Sequence, residues 1–148
     1  MSEHKAVIRW RNSGTGMDYE SYTREHSWEF EGGPEVPASA AADYKGAPGC
    51  VDPEEGLVAS AAACHMLTFL AIAAKKKLVV ASYTDRAVGH MEKDAQGRLA
   101  VTRIELRPVI NFGPGIALTP DELRKLHDSA HRNCFIANSI KATVTVAI

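Results

Sequence analysis

Residues 57 to 74 read LVASAAACHMLTFLAIAA, a run without a single charged side chain. Asp52, Pro53, Glu54 and Glu55 precede it, and Lys75, Lys76 and Lys77 follow it. Asp52 suits an N-cap, Pro53 the first helical position, the glutamates the positive end of a helix dipole and the lysines its negative end. The stretch therefore predicts one long helix, and a helix with no polar face has to be buried all round. A membrane span is the rival use of such a segment. The run is marginal in length, contains Ser60, His65 and Thr68, and has no second copy, so we expect a core helix and no membrane partner.

The remaining chain has to supply what covers that helix. Residues 5 to 11 (KAVIRWR) and 18 to 31 (DYESYTREHSWEFE) are rich in β-branched and aromatic residues and are separated by the turn cluster NSGTGM, which predicts a β-hairpin. The second stretch reads as one long strand or two. Residues 32 to 50, with three prolines, read as a long functional loop. Two strands follow the helix, about residues 78 to 93 and 98 to 112, joined by the turn DAQG. TPDE at 119 to 122 is a capping-box sequence opening a second helix, with a break expected near Cys134, and ATVTVAI closes the chain as a strand. Strands, long helix, strands, helix and strand make an α+β class, and 148 residues fit one domain spanning 1–148.

A formal net charge of −1 offers no electrostatic footprint for nucleic acid. The N-terminal MSEHKAVIRW has neither the apolar stretch of a signal peptide nor the character of a transit peptide, and a cytoplasmic location is the expectation. Cys50, Cys64 and Cys134 are too few and too scattered for a secreted disulfide framework. In a reducing compartment such cysteines are either small buried hydrophobes or reactive thiols. Cys64 lies about 15 Å along the helix from Glu54, too far for the helix N-terminus to ionise it. Left among apolar neighbours it would stay protonated and inert; a nucleophile there needs a cation brought close. Cys134 follows His131 by three residues, a spacing that could ligate zinc, but a zinc site wants three or four ligands and no Cys-x-x-Cys completes one. The other reading is a second thiol, brought to Cys64 by the fold for reversible disulfide chemistry.

VDPEEGLVASAAACHMLTFLAIAA, together with HRNCFIANSIKATVTV near the end, resembles the OsmC/Ohr superfamily of thiol peroxidases, and the OsmC-like branch in particular. The resemblance covers essentially the whole chain. Its most specific parts are the Pro53-Glu54 pair ten residues before Cys64 and the second cysteine in a late helix just ahead of a terminal strand. It implies an OsmC-like fold in which strands wrap two long central helices in an intertwined homodimer with active sites at the subunit interface. It further implies reduction of organic hydroperoxides: Cys64 is oxidised to a sulfenic acid, Cys134 condenses with it to a disulfide, and a dithiol such as dihydrolipoamide reduces that disulfide. In this scheme Glu54 orients an arginine that stabilises the Cys64 thiolate. Glu54 cannot reach Cys64 along its own helix, so a partner subunit would have to deliver it. No cofactor and no metal are implied.

The arginine is not fixed by a motif. Arg24 in YTREH is our choice, with Arg9 and Arg11 as alternatives. Phe135 follows Cys134 where many relatives carry proline. Cys50 is an extra thiol, expected in a loop, where an auxiliary redox role is open to it. His65 points about 100° away from Cys64 around the helix, which suits packing or a structural hydrogen bond. His26 and His131 are better placed for electrostatic roles. Met66, Phe69 and Leu70 read as core. Against the peroxidase stand two alternatives of different classes, a non-enzymatic dimer that binds an apolar small molecule between its helices and a metal- or redox-dependent regulator.

Overall fold

A computed structural model describes residues 1–14 and 16–148. The chain divides into two compact units, residues 1–56 and 57–148.

The first unit is an antiparallel sheet of β1 (Ala6–Arg9), β2 (His26–Phe30) and β3 (Glu35–Ala38) in that order. Ala6 faces Phe30 and Ile8 faces Trp28, so the expected hairpin forms, but only its outer parts are strand. The connection takes up residues 10 to 25; Thr15, within the predicted turn cluster, lies outside the described residues. The 32–50 segment departs from the predicted loop. It contains β3 and a 3₁₀ turn at Ala42–Tyr44. Pro37 is tolerated because β3 offers its outer edge, where the Val51 N–H donates to the Pro37 carbonyl (3.0 Å) and the Ser39 N–H to the Val51 carbonyl (2.9 Å). Gly56 allows Trp28 to lie against the start of the long helix: a Cβ there would stand 2.5 Å from the indole.

That helix, α1 (Pro53–Lys75), begins as its sequence dictates, with Asp52 Oδ1 accepting the Glu55 N–H at 2.7 Å. Among the described residues it is the one helix long and apolar enough to cross a membrane. Within this chain its burial is one-sided. Ala61, His65, Phe69 and Ala73, spaced by four, are buried, whereas Ala59, Ala63, Leu67 and Ala71 are exposed. The expectation of all-round burial is therefore not met by a single chain.

In the second unit the two predicted strands are each broken in two. They form β4 (Val80–Asp85), β5 (Val88–Lys93), β6 (Leu99–Leu106) and β7 (Pro108–Phe112). β5 and β6 pair across the DAQG turn, while β4 pairs with β7 in a separate sheet. The break falls where Pro108 lacks an N–H for the ladder and the Arg107 N–H is taken by Asp85 Oδ1 at 2.7 Å. β8 (Thr143–Val146) adds to β6 in parallel. Gly89 lets β5 come close to α1, since a Cβ there would lie 2.5 Å from Val58 Cγ2. α2 (Pro120–Arg132) starts with the predicted capping box: Thr119 Oγ1 accepts the Glu122 N–H, and Glu122 Oε2 accepts the Thr119 N–H at 2.7 Å. Two apolar clusters fill this unit. Ala61 packs with Ile104, Leu106, Ala142 and Val144; Phe69 and Ala73 pack with Leu126 and Ala130.

Candidate functional site

α2 ends at Arg132, and Asn133 caps it by donating Nδ2–H to the Ser129 carbonyl at 2.8 Å. The break expected near Cys134 is thus present. Cys134 stands in the gap before a 3₁₀ turn at Ala137–Ser139, with its N–H on the His131 carbonyl (3.2 Å) and its carbonyl on the Asn138 N–H (3.1 Å). Its thiol is 1% exposed. The Ala137 N–H donates to Cys134 Sγ at 3.4 Å.

Cys64 sits mid-α1 beside the buried stripe, half-buried, with its carbonyl accepting Thr68 Oγ1–H at 2.8 Å. The fold brings the two thiols together across seventy residues of sequence: Cys134 lies within hydrogen-bonding reach of Cys64. Burial pushes the Cys134 thiol pKa up; the Ala137 N–H works against this, and the hydrogen bond to Cys64 adds to it. Cys134 therefore holds its proton, with Cys64 within reach. All three cysteines are free thiols, and Cys50 is half-buried in the segment ahead of α1.

Glu54 and Arg24 belong to the first unit. Glu54 occupies the first turn of α1, where both its N–H and its carboxyl engage Asp52. Arg24 donates Nη1–H to the Tyr22 carbonyl and Nη2–H to the Tyr19 carbonyl, each at 2.6 Å, and its guanidinium lies 3.6 Å from the centroid of the Tyr22 ring. Among the described residues Arg24 and Glu54 make no ion pair with each other within the chain. Arg24 does line a largely apolar cavity of ≈ 440 Å³, together with Trp10, Met17, Tyr22, His26 and Pro53. Of the alternatives, Arg9 is paired with Glu29 at 2.5 Å, and Arg11 makes no ion pair among the described residues.

His26 is fully engaged. Nε2 accepts the Trp28 indole N–H at 2.9 Å, so Nδ1 carries the proton and donates to the Arg24 carbonyl at 2.8 Å. His65 makes a structural hydrogen bond, as its direction on the helix suggested: Nε2 meets His127 Nδ1 at 3.0 Å, with the ring planes within 9° of parallel and the centroids 5.3 Å apart. His127 was not among the expected site residues. The signal for it was a histidine at the apolar spacing of α2, beside Leu126 and three residues before Ala130. Burial lowers both imidazole pKa values, that of His65 to about 4. His131 lies close enough to influence His65 electrostatically, and its buried Nδ1 has no partner. Among the described residues no cluster of three or more metal-ligating side chains forms, which leaves the His131–Cys134 zinc reading without further ligands.

Residues 46–148 match the family described as OsmC-like protein. The solved structure of an OsmC-like protein of unknown function from Vibrio cholerae is 42% identical, with a TM-score of 0.96, covering 100% of this chain and 99% of that one. An organic hydroperoxide resistance protein from Elizabethkingia anophelis shares the fold at 19% identity and a TM-score of 0.73, covering 99% and 96% of the two chains. One from Legionella pneumophila does so at 16% and 0.69, covering 100% and 98%. No curated protein matches the chain.

Proposed function

The chain belongs to the OsmC-like protein family, and from that premise we propose that it reduces organic hydroperoxides through a two-cysteine cycle. The observation that carries the proposal is the unequal thiol pair. Cys64 is half-buried, and Cys134 is buried, protonated and within reach of it.

The Cys64 thiolate attacks one peroxide oxygen, the O–O bond breaks, and the departing alkoxide takes a proton and leaves as an alcohol. Cys64 becomes a sulfenic acid. The Cys134 sulfur then attacks the Cys64 sulfur; the S–O bond breaks, the thiol proton leaves with the hydroxyl as water, and a disulfide remains. A dithiol reduces it by exchange and closes into its own disulfide. In this reading Arg24 stabilises the thiolate, Glu54 brought by a partner subunit orients that arginine, and the apolar cavity beside Arg24 receives the organic part of the substrate. The substrate class is supported by the names of the Elizabethkingia and Legionella proteins.

The working form is a homodimer in the cytoplasm. The exposed stripe Ala59, Ala63, Leu67 and Ala71, with Leu67 62% exposed, gives a second α1 a close-packing surface and supplies the burial that one chain leaves undone. The test is peroxide consumption. The parent protein with dithiothreitol is expected to consume cumene hydroperoxide and Cys64→Ser to lose that activity; equal rates would end the proposal. The binding-protein alternative predicts instead slow alkylation of Cys64 at pH 7 and a co-purifying apolar molecule.

A further inference from the structure

Two imidazoles are buried in the second unit, His65 on α1 between the positions of Ala61 and Phe69 at 1% exposure and His127 on α2 at 2%. Apolar side chains of similar size would pack there without the desolvation cost that a buried polar pair carries. What the pair adds is direction. An in-plane N–H···N bond of 3.0 Å between nearly coplanar rings tolerates little sliding or rotation, whereas a contact between hydrocarbons tolerates both. His127 is also wedged against Phe69 of α1, with the ring centroids 4.7 Å apart. The bond thus ties one point on α1 to one point on α2.

Cys64 is the residue before His65 on α1, and Cys134 follows the end of α2, seven residues after His127. Fixing His65 against His127 therefore holds the two segments that carry the sulfurs against each other. Their chemistry is exacting about this, because a disulfide needs the sulfurs at about 2 Å with a restricted dihedral angle.

We propose that the buried His65–His127 hydrogen bond is a clasp that positions Cys64 and Cys134 for disulfide closure. The two histidines are positioning residues and touch neither substrate nor reacting atoms. The inference deepens the two-cysteine cycle and rests on it for the closing step, in which the Cys64 sulfenic acid and the Cys134 thiol give the disulfide and water. It concerns the second step of oxidation and leaves the first alone.

Rapid-quench mass spectrometry of the reduced protein with one equivalent of cumene hydroperoxide reads both steps, as dimedone-trapped sulfenic acid at Cys64 and as the Cys64–Cys134 disulfide. His127→Phe keeps a ring against Phe69 and removes the hydrogen bond. Sulfenic acid formation is expected to stay within about twofold of the parent while disulfide closure slows by about tenfold, the scale of one buried hydrogen bond. His127→Asn places an amide near the Nδ1 position and is expected to restore closure to within about threefold. Should His127→Phe not fold, His127→Gln keeps a polar group but misplaces it, and closure is again expected to slow. Closure at the parent rate in a folded His127→Phe or His127→Gln overturns the proposal, as does equal slowing of both steps or failure of His127→Asn to rescue.

The same variants are compared with diamide, which oxidises two thiols to a disulfide without any hydroperoxide and is itself reduced to the hydrazine. A parent protein that closes with diamide but leaves hydroperoxide untouched ends the peroxidase reading, while the parent-to-variant ratio with diamide still decides the clasp.

Discussion

At the scale of single residues, the site is defined by the difference between two sulfurs. Cys134 is enclosed and held protonated, with Cys64 as one of the groups that hold it so. Iodoacetamide near neutral pH is accordingly expected to label Cys64 well before Cys134, which peptide mass spectrometry would resolve. Cys134→Ser has a sharper expectation: it should consume about one equivalent of hydroperoxide per chain and then stall with the sulfenic acid on Cys64. Continued turnover in that variant would remove Cys134 from the cycle. The sequence showed both cysteines and gave a reason why Cys64 needs help to ionise. It did not show that they meet, because nothing local to either one encodes a contact seventy residues away. His127 stayed hidden for the same reason: its partner lies on the other helix, 62 residues distant.

At the scale of elements, what depends on neighbouring residues was readable and what depends on pairing was not. Asp52-Pro53, TPDE and DAQG carry local hydrogen bonds and backbone constraints, and each appears in the structure as written. Thr119→Ala should cost about 1 kcal/mol in urea unfolding, since it removes one half of the capping box. The strand β3 and the bend at Asp85 and Arg107 depend on which edge a segment meets, and three prolines made residues 32–50 read as a loop. Gly89→Ala should destabilise by about 1–3 kcal/mol by driving a methyl into Val58, and Val58→Ala should recover part of that loss. The histidines joining α1 and α2 also give the fold a pH dependence. His65 stays neutral in the folded chain down to about pH 4, while unfolded chains take up its proton near 6.5. Stability is therefore complete above that value and falls as pH drops from 6.5 to 4, by on the order of 3 kcal/mol. His127, also shifted downward, acts in the same direction. Cys134 acts oppositely: its raised pKa means that stability declines once pH exceeds about 9, where the unfolded thiol ionises and the folded one does not. Urea midpoints measured from pH 4 to 10 would trace both limbs.

At the scale of the whole molecule, α1 carries the main consequence. Its exposed stripe leads us to expect a dimer at micromolar concentration by light scattering, and Leu67→Asp is expected to yield monomers. A monomeric parent would remove the quaternary part of the proposal. By itself the sequence determined the α+β class, the length and ends of α1, the capping of α2 and the presence of two thiols, one within α1 and one near the end of the second helix. Each of these follows from residues within a few positions of one another, where turn chemistry, capping and apolar period act directly. Tertiary structure alone decided that β5 pairs with β6 while β4 leaves to join β7, that α1 buries only one face within its own chain, and that His65 meets His127 with Cys64 beside Cys134. Those are contacts between distant segments, and they form only when the apolar clusters around Ile104 and Phe69 close and bring the two helices together.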